Sequence, residues 1–98
     1  MQRCARRHGF TVIANLCGHG VGGFLHEPPS VPSVEDPGDR TVLWEGLVLA
    51  VEPFLSTGAT AAVEAGDGWT LLTADGSLSA QFEHTIVVTR GRPLVLTA

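Results

Sequence analysis

Apolar and polar positions fall in short runs along this chain, and most runs have the composition of strands rather than helices. Phe10-Thr-Val-Ile-Ala14 is rich in β-branched residues and predicts a strand. Leu47-Val-Leu-Ala-Val51 is continuously apolar, which predicts a strand buried on both faces. Thr57 to Ala65 is a weaker strand candidate built of small residues, and Trp69 to Thr73 is a stronger one. Ala80 to Thr89 predicts a long strand, and Leu94 to Thr97 a short last one. Turns separate them: Glu64 to Gly68, a tight hairpin turn at Ala74-Asp-Gly76, and Arg90 to Pro93. Ser30 to Arg40 carries prolines, Gly38 and mixed charge, so it predicts an irregular surface connection. Only Gln2 to His8 predicts a helix, with Gly9 as its left-handed stop. The expected fold class is α+β: a mainly antiparallel twisted sheet with one short N-terminal helix.

Composition narrows the picture. At 98 residues the chain holds one domain or part of one, and a chain this size buries roughly 60–65% of its unfolded surface. With 44% hydrophobic and 16% charged residues it reads as globular rather than disordered. A net charge of -4 leaves no electrostatic footprint for nucleic acid. The longest uncharged stretch, Gly9 to His26, is broken by glycine and asparagine and is not a membrane span. Cys4 and Cys17 form no CxxC pair and no disulfide framework, so a reducing cytoplasm is the expected compartment. Arg3, Arg6 and Arg7 precede the first acidic residue, Glu27, as in some targeting peptides. The segment runs without a break into the following glycine loop, which favours the short helix instead.

Candidate chemistry begins at Cys17-Gly-His-Gly-Val-Gly-Gly-Phe-Leu-His-Glu-Pro-Pro29. Two histidines, His19 and His26, sit in a glycine-rich run, and imidazole is both a common metal ligand and the usual acid–base group near neutral pH. The double proline is expected to end any regular element. Glu52 extends the buried run Leu47 to Val51, where a carboxylate is costly unless a cation or hydrogen bonds compensate it. In Ser79-Ala-Gln-Phe-Glu-His-Thr85, alternation puts Gln81, Glu83 and Thr85 on one face and Phe82, His84 and Ile86 on the other. Taken singly, each of these residues also fits a local hydrogen bond or a solvated strand face.

Their order carries more. Gly-His-Gly, then His-Glu-x-Pro, Val-Glu-Pro, Asp-Gly-Trp and Ser-Ala-Gln-Phe-Glu-His-Thr, from about Phe10 to Thr97, resembles the C-terminal half of type I methionine aminopeptidases. The wider pita-bread superfamily shares the His…His…Glu…Glu order. The Asp67-Gly-Trp69 turn and the Ser79 to Thr85 wording favour the methionine-specific branch. The resemblance implies half of a pita-bread fold, 1–98 being its C-terminal lobe, and removal of N-terminal methionine from proteins and peptides. It implies His19 and Glu52 as ligands of one divalent metal and Glu83 as a carboxylate bridging two (Co, Mn, Fe or Zn). Such a pair sits roughly 3.5–4 Å apart and activates a shared water. His26 matches the histidine that hydrogen-bonds the scissile carbonyl or the departing nitrogen. Leu25, Trp69 and Cys17 match residues around the substrate's methionine side chain. Gln81 and His84 match supports beside the bridging glutamate.

Departures accompany the match. Leu25 stands where the family usually has phenylalanine, and Gly23-Phe-Leu replaces an arginine-containing step. The family's two aspartate ligands come from its N-terminal half, whereas the first aspartate here is Asp36. The chain is therefore expected to be a fragment: inactive alone, lacking its N-terminal lobe, and prone to dimerise through an exposed apolar face. An X-Pro aminopeptidase and a non-catalytic metal- or protein-binding β-rich module are the alternatives.

Overall fold

A computed structural model describes all of residues 1–98. The elements are helix α1 (Gln2–Arg7) and ten strands: β1 (Thr11–Val12), β2 (Cys17–Gly20), β3 (Glu27–Pro32), β4 (Val48–Val51), β5 (Phe54–Ser56), β6 (Ala62–Glu64), β7 (Leu71–Thr73), β8 (Ser79–Gln81), β9 (His84–Val87) and β10 (Leu94–Val95). They form a five-stranded sheet ordered β10-β9-β4-β2-β3, a three-stranded sheet β1-β5-β8 and the hairpin β6-β7. Every pairing is antiparallel, as expected.

The predicted helix forms, and Gly9 adopts φ 79° after it. The apolar run at Leu47 to Val51 becomes β4, flanked by β9 and β2, with Leu49 and Ala50 buried at 3% and 1% exposure. These two, with Ile13, Val12 and Leu47, make a thin core, since only 11 of 98 residues are buried.

Several boundaries differ from the sequence reading. The first part of the glycine stretch is strand β2, because β3 and β4 take up its backbone groups from both sides. The double proline does not end an element. Pro28 and Pro29 lie within β3, which tolerates them because it is the sheet edge and needs no N–H on its outer side. Within Thr57 to Ala65 only Ala62–Glu64 is strand. The preceding turn is held by the buried Ser56 hydroxyl, which accepts the Gly58 and Ala59 N–H groups at 3.3 and 3.1 Å. Strand β5 itself was not foreseen. The turn at Ala74 to Gly76 exists but joins two sheets: β7 pairs with β6, and β8 with β5.

The predicted long strand Ala80 to Thr89 is split into β8 and β9 at Phe82 and Glu83. Opposite the split, β4 and β5 part at Glu52 and Pro53. The register is continuous across the gap, with Val51 facing His84 on one side and Phe54 facing Gln81 on the other. Pro53 has no N–H to give the ladder there. Two long strands therefore bend together from one sheet into the next, and both glutamates lie at the bend.

The β6-β7 hairpin turn is tied by Asp67. Its carboxylate accepts the N–H groups of Trp69 and Thr70 at 2.9 and 2.8 Å and the Thr70 hydroxyl at 2.5 Å. The Thr70 hydroxyl first, and these amides with it, hold the Asp67 carboxyl below its ordinary value. A lowered folded pKa stabilises the turn above the ordinary carboxylate pKa, and that stabilisation is lost as pH falls through the folded value. The Trp69 and Thr70 amide resonances are thus expected to stay fixed on acidification until pH drops below about 3.9. A midpoint at or above that value in an NMR titration contradicts the assignment.

Candidate metal centre

His19 lies on β2, between β4 and β3, paired with Ala50 on one side and Ser30 on the other. Its flanking glycines are required by close approach. A Cβ at Gly18 would lie 2.1 Å from the Ala50 carbonyl oxygen, and one at Gly20 would lie 2.2 Å from that of Pro28. The β2-β3 register shifts between His19 and Gly20, a bulge of the kind that re-aims a side chain. His19 Nδ1 is 2.8 Å from the Gly20 carbonyl oxygen. Donation there fixes the tautomer and turns Nε2 toward Glu52.

Glu52 Oε1 sits 3.0 Å from His19 Nε2, and both side chains are only 16% exposed. One proton between the two atoms makes this contact a hydrogen bond. The Gln81 amide donates to Glu52 Oε2 at 3.2 Å and to Glu83 Oε2 at 3.4 Å. Gln81 therefore bridges the two carboxylates, which face one another because β4 and β9 share a register into the bend. Burial, and then the neighbouring Glu83 charge, push the Glu52 carboxyl above its ordinary value, while His19 and His26 pull it back. The His26 ring lies 4.1 Å from that of His19, tilted by 46°.

His19, His26, Glu52, Gln81 and Glu83 thus form one cluster, built from three stretches far apart in sequence. The other expected residues do not join it. The His84 ring is edge-on to Phe82 and its Nδ1 pairs with the Thr97 hydroxyl at 3.2 Å. Trp69 is 87% exposed at the hairpin tip and Leu25 is 73% exposed. Cys17 is a free, exposed thiol. The surface around the imidazoles is open: of five cavities, only the one of about 230 Å³ lined by Ile13, Phe54, Leu71 and Gln81 touches the cluster, through Gln81.

Two contributors escaped the sequence reading. The Asn15 side chain pairs with Ala62 in both directions, at 2.8 Å each, and clamps the β6-β7 hairpin to the segment leading into β2. Glu27 folds back to accept the Phe24 N–H at 3.2 Å, bracing the loop that carries His26. A polar residue at the head of the glycine run and a glutamate before two prolines were the only signals.

The donor set fits a divalent ion. One imidazole and two carboxylates suit Mn, Fe, Co or Zn with positions left open. The carboxylate charge that raises the Glu52 pKa is the charge a cation relieves. No three donors yet surround a single point closely enough to form a cage. The expected ligands His19, Glu52 and Glu83 thus lie in one neighbourhood without enclosing a single point. The physical reason is that His19 and Glu52 are engaged with each other, and the Gln81 amide spans the gap that separates Glu52 from Glu83. None of the four aspartates is hydrogen-bonded to the cluster: Asp36, Asp39, Asp67 and Asp75 each accept a backbone N–H within their own turn.

The family model "Metallopeptidase family M24" matches residues 1–90. The chain belongs to that family. Among M24 relatives it is 53% identical over 94 residues to methionine aminopeptidase 2 of Bacillus subtilis, spanning 95% of this chain and 38% of that protein. It is 48% identical to the methionine aminopeptidase of Aquifex aeolicus, spanning 95% and 37%. The crystal structure of methionine aminopeptidase from Thermotoga maritima superposes with a TM-score of 0.91 at 46% identity, over 98% of this chain and 39% of that one. The fold is therefore that of a methionine aminopeptidase over this region, and the chain spans less than two fifths of the length of such relatives. M24 membership implies a divalent metal cofactor.

Proposed function

We propose that this M24 chain forms the C-terminal lobe of a centre that removes N-terminal methionine from proteins and peptides. The observation that carries the reading is the His19–Glu52–Gln81–Glu83 cluster with His26 beside it, at the bend between two sheets. His19, Glu52 and Glu83 would hold the metal; two ions would suit a complete site, with aspartates supplied from outside these residues. Bound there, a divalent ion would polarise a peptide carbonyl and acidify water.

The chain's own residues do the rest. The Gly20 carbonyl keeps His19 in one tautomer. Gln81 sets the spacing of the carboxylates. His26, exposed next to His19, can hydrogen-bond the scissile carbonyl or give a proton to the departing nitrogen. Leu25 and Trp69 offer apolar surface to a thioether side chain, with Cys17 nearby in the same glycine run. The site of action is assigned to the cytoplasm, in keeping with the exposed thiols of Cys4 and Cys17. No helix is long and apolar enough to cross a membrane.

Activity follows from the donor count. The 98-residue chain alone is expected to release no methionine from a Met-Ala-Ser peptide. Mixed with the part of the Bacillus subtilis relative that it does not match, and with Mn or Co, it is expected to release methionine but not to cleave Ala-Pro. His26→Ala should reduce the rate of the mixture by about 10²–10⁴-fold, the usual worth of a positioned acid–base group. Cleavage of Ala-Pro instead of Met-Ala supports the X-Pro reading. No turnover in any mixture, with metal bound, supports a non-catalytic module.

A further inference from the structure

Thr97 lies outside every role assigned above, yet it touches β9 twice. The pairing of β10 with β9 runs from Leu94 opposite Val87 to Val95 opposite Ile86, and the Leu96 N–H continues it to the Thr85 carbonyl at 2.9 Å. The next acceptor is not a backbone carbonyl. The Thr85 N–H donates to the Thr97 side-chain hydroxyl at 3.0 Å. The same oxygen lies 3.2 Å from His84 Nδ1. A hydroxyl has one proton and two lone pairs, so it can accept the Thr85 N–H whichever tautomer His84 adopts. The contact falls directly beside the bend, since Glu83 precedes His84 and stands outside any strand. On its other side, Thr85 pairs with Ala50 of β4, the residue that also pairs with His19.

We infer that Thr97 is a positioning residue: its hydroxyl takes the place of a ladder carbonyl, pins His84 and Thr85, and thereby sets where Glu83 stands relative to Glu52. This rests on the proposed metal centre for its consequence, but not for its structural content. Without the hydroxyl, His84 and the Thr85 N–H lose their contacts with Thr97, and only the Leu96 N–H still ties Thr85 to the segment that follows β10. The backbone at Glu83 then shifts, and the Gln81 amide that spans the carboxylates shifts with it.

Thr97→Val keeps the β-branched shape and removes only the hydroxyl, and Thr97→Ser keeps the hydroxyl. The first readout is NMR on the metal-free chain. The Thr85 amide should exchange faster in Thr97→Val, and the Gln81 side-chain amide resonances should move, with Thr97→Ser restoring both. The second readout is Mn titration calorimetry, in which Thr97→Val should weaken binding about 10–100-fold, as loss of a support behind a ligand does. Gln81 resonances unmoved in Thr97→Val overturn the inference whatever the metal result. If they move and Mn binding is unchanged, Thr97 positions the bend but not a metal ligand, and the link to Glu83 is refuted. If instead Glu52→Gln and the unaltered chain bind Mn equally, the proposed metal centre fails while the NMR result still decides Thr97.

Discussion

Gly18→Ala is expected to lower the melting temperature by at least about 10 °C, the equivalent of a loss of a few kcal/mol in a domain of this size. Strand β2 carries neighbours on both sides, and the added Cβ would lie 2.1 Å from the Ala50 oxygen and 3.2 Å from the Val31 Cβ. The first of these is backbone of the central strand β4 and cannot rotate away. Overpacking a core with side chains that can adjust costs about 1–3 kcal/mol. Here the sheet itself must separate, in a chain whose whole stability is about 5–15 kcal/mol. Separation would also break the His19–Ala50 pairing and so displace the imidazole. Gly23→Ala is the control, because a Cβ there meets nothing within 4 Å. Circular dichroism melting of both variants checks the expectation; a Gly18→Ala transition within a degree or two of the unaltered chain would falsify the packing account.

Glu52→Gln is expected to weaken Mn or Co binding by at least the roughly 10–100-fold that loss of a supporting group costs, while raising thermal stability at neutral pH. The amide keeps the size of the side chain and a partner for His19 but removes the charge. In the folded chain the Glu52 carboxyl is held above its ordinary value, first by burial and then by Glu83. A raised folded pKa in an acid means that the ionised form opposes folding at neutral pH. Removing that charge therefore helps the fold and harms the site, a combination that simple unfolding cannot produce. Glu83→Ala should weaken binding as well. Calorimetry and melting on the same preparations read both effects. Unchanged cation affinity in both variants removes the carboxylates from the centre, and a lower melting point for Glu52→Gln refutes the electrostatic reading of the bend.

Glu52 and the Leu47 to Val51 run were legible because they depend on one local fact. A continuous apolar strand is buried wherever it is placed, and a carboxylate at its end must find compensation. The residues of the cluster were legible too, from the order of short motifs along the chain. Their separation was not. Nothing in the sequence states that β4 and β9 share a register through the bend, yet that register brings Glu52 and Glu83 face to face and lets Gln81 reach both. The double proline was misread for a related reason. Proline excludes a central strand but not an edge, and which strand is an edge is settled only when the sheet is assembled.

The sequence by itself determined the elements whose cause is local: the helix with its stop at Gly9, the buried strand β4, and the turns at Asp67 and Gly76. Only the tertiary structure decided how those pieces are used. It split the Ala80 to Thr89 strand between two sheets, because Pro53 withholds a ladder hydrogen bond at the matching point of β4 and β5. It tied Asn15 to the Trp69 hairpin, and Thr97 to the strand beside Glu83, through side-chain bonds that span 47 and 12 residues. It also left Trp69 and Leu25 in solvent. Backbone propensity and hydrophobic period act over a few residues, so they appear in the sequence. Register, edge position and long-range side-chain bonds depend on which segments meet, and no short window of residues contains that information.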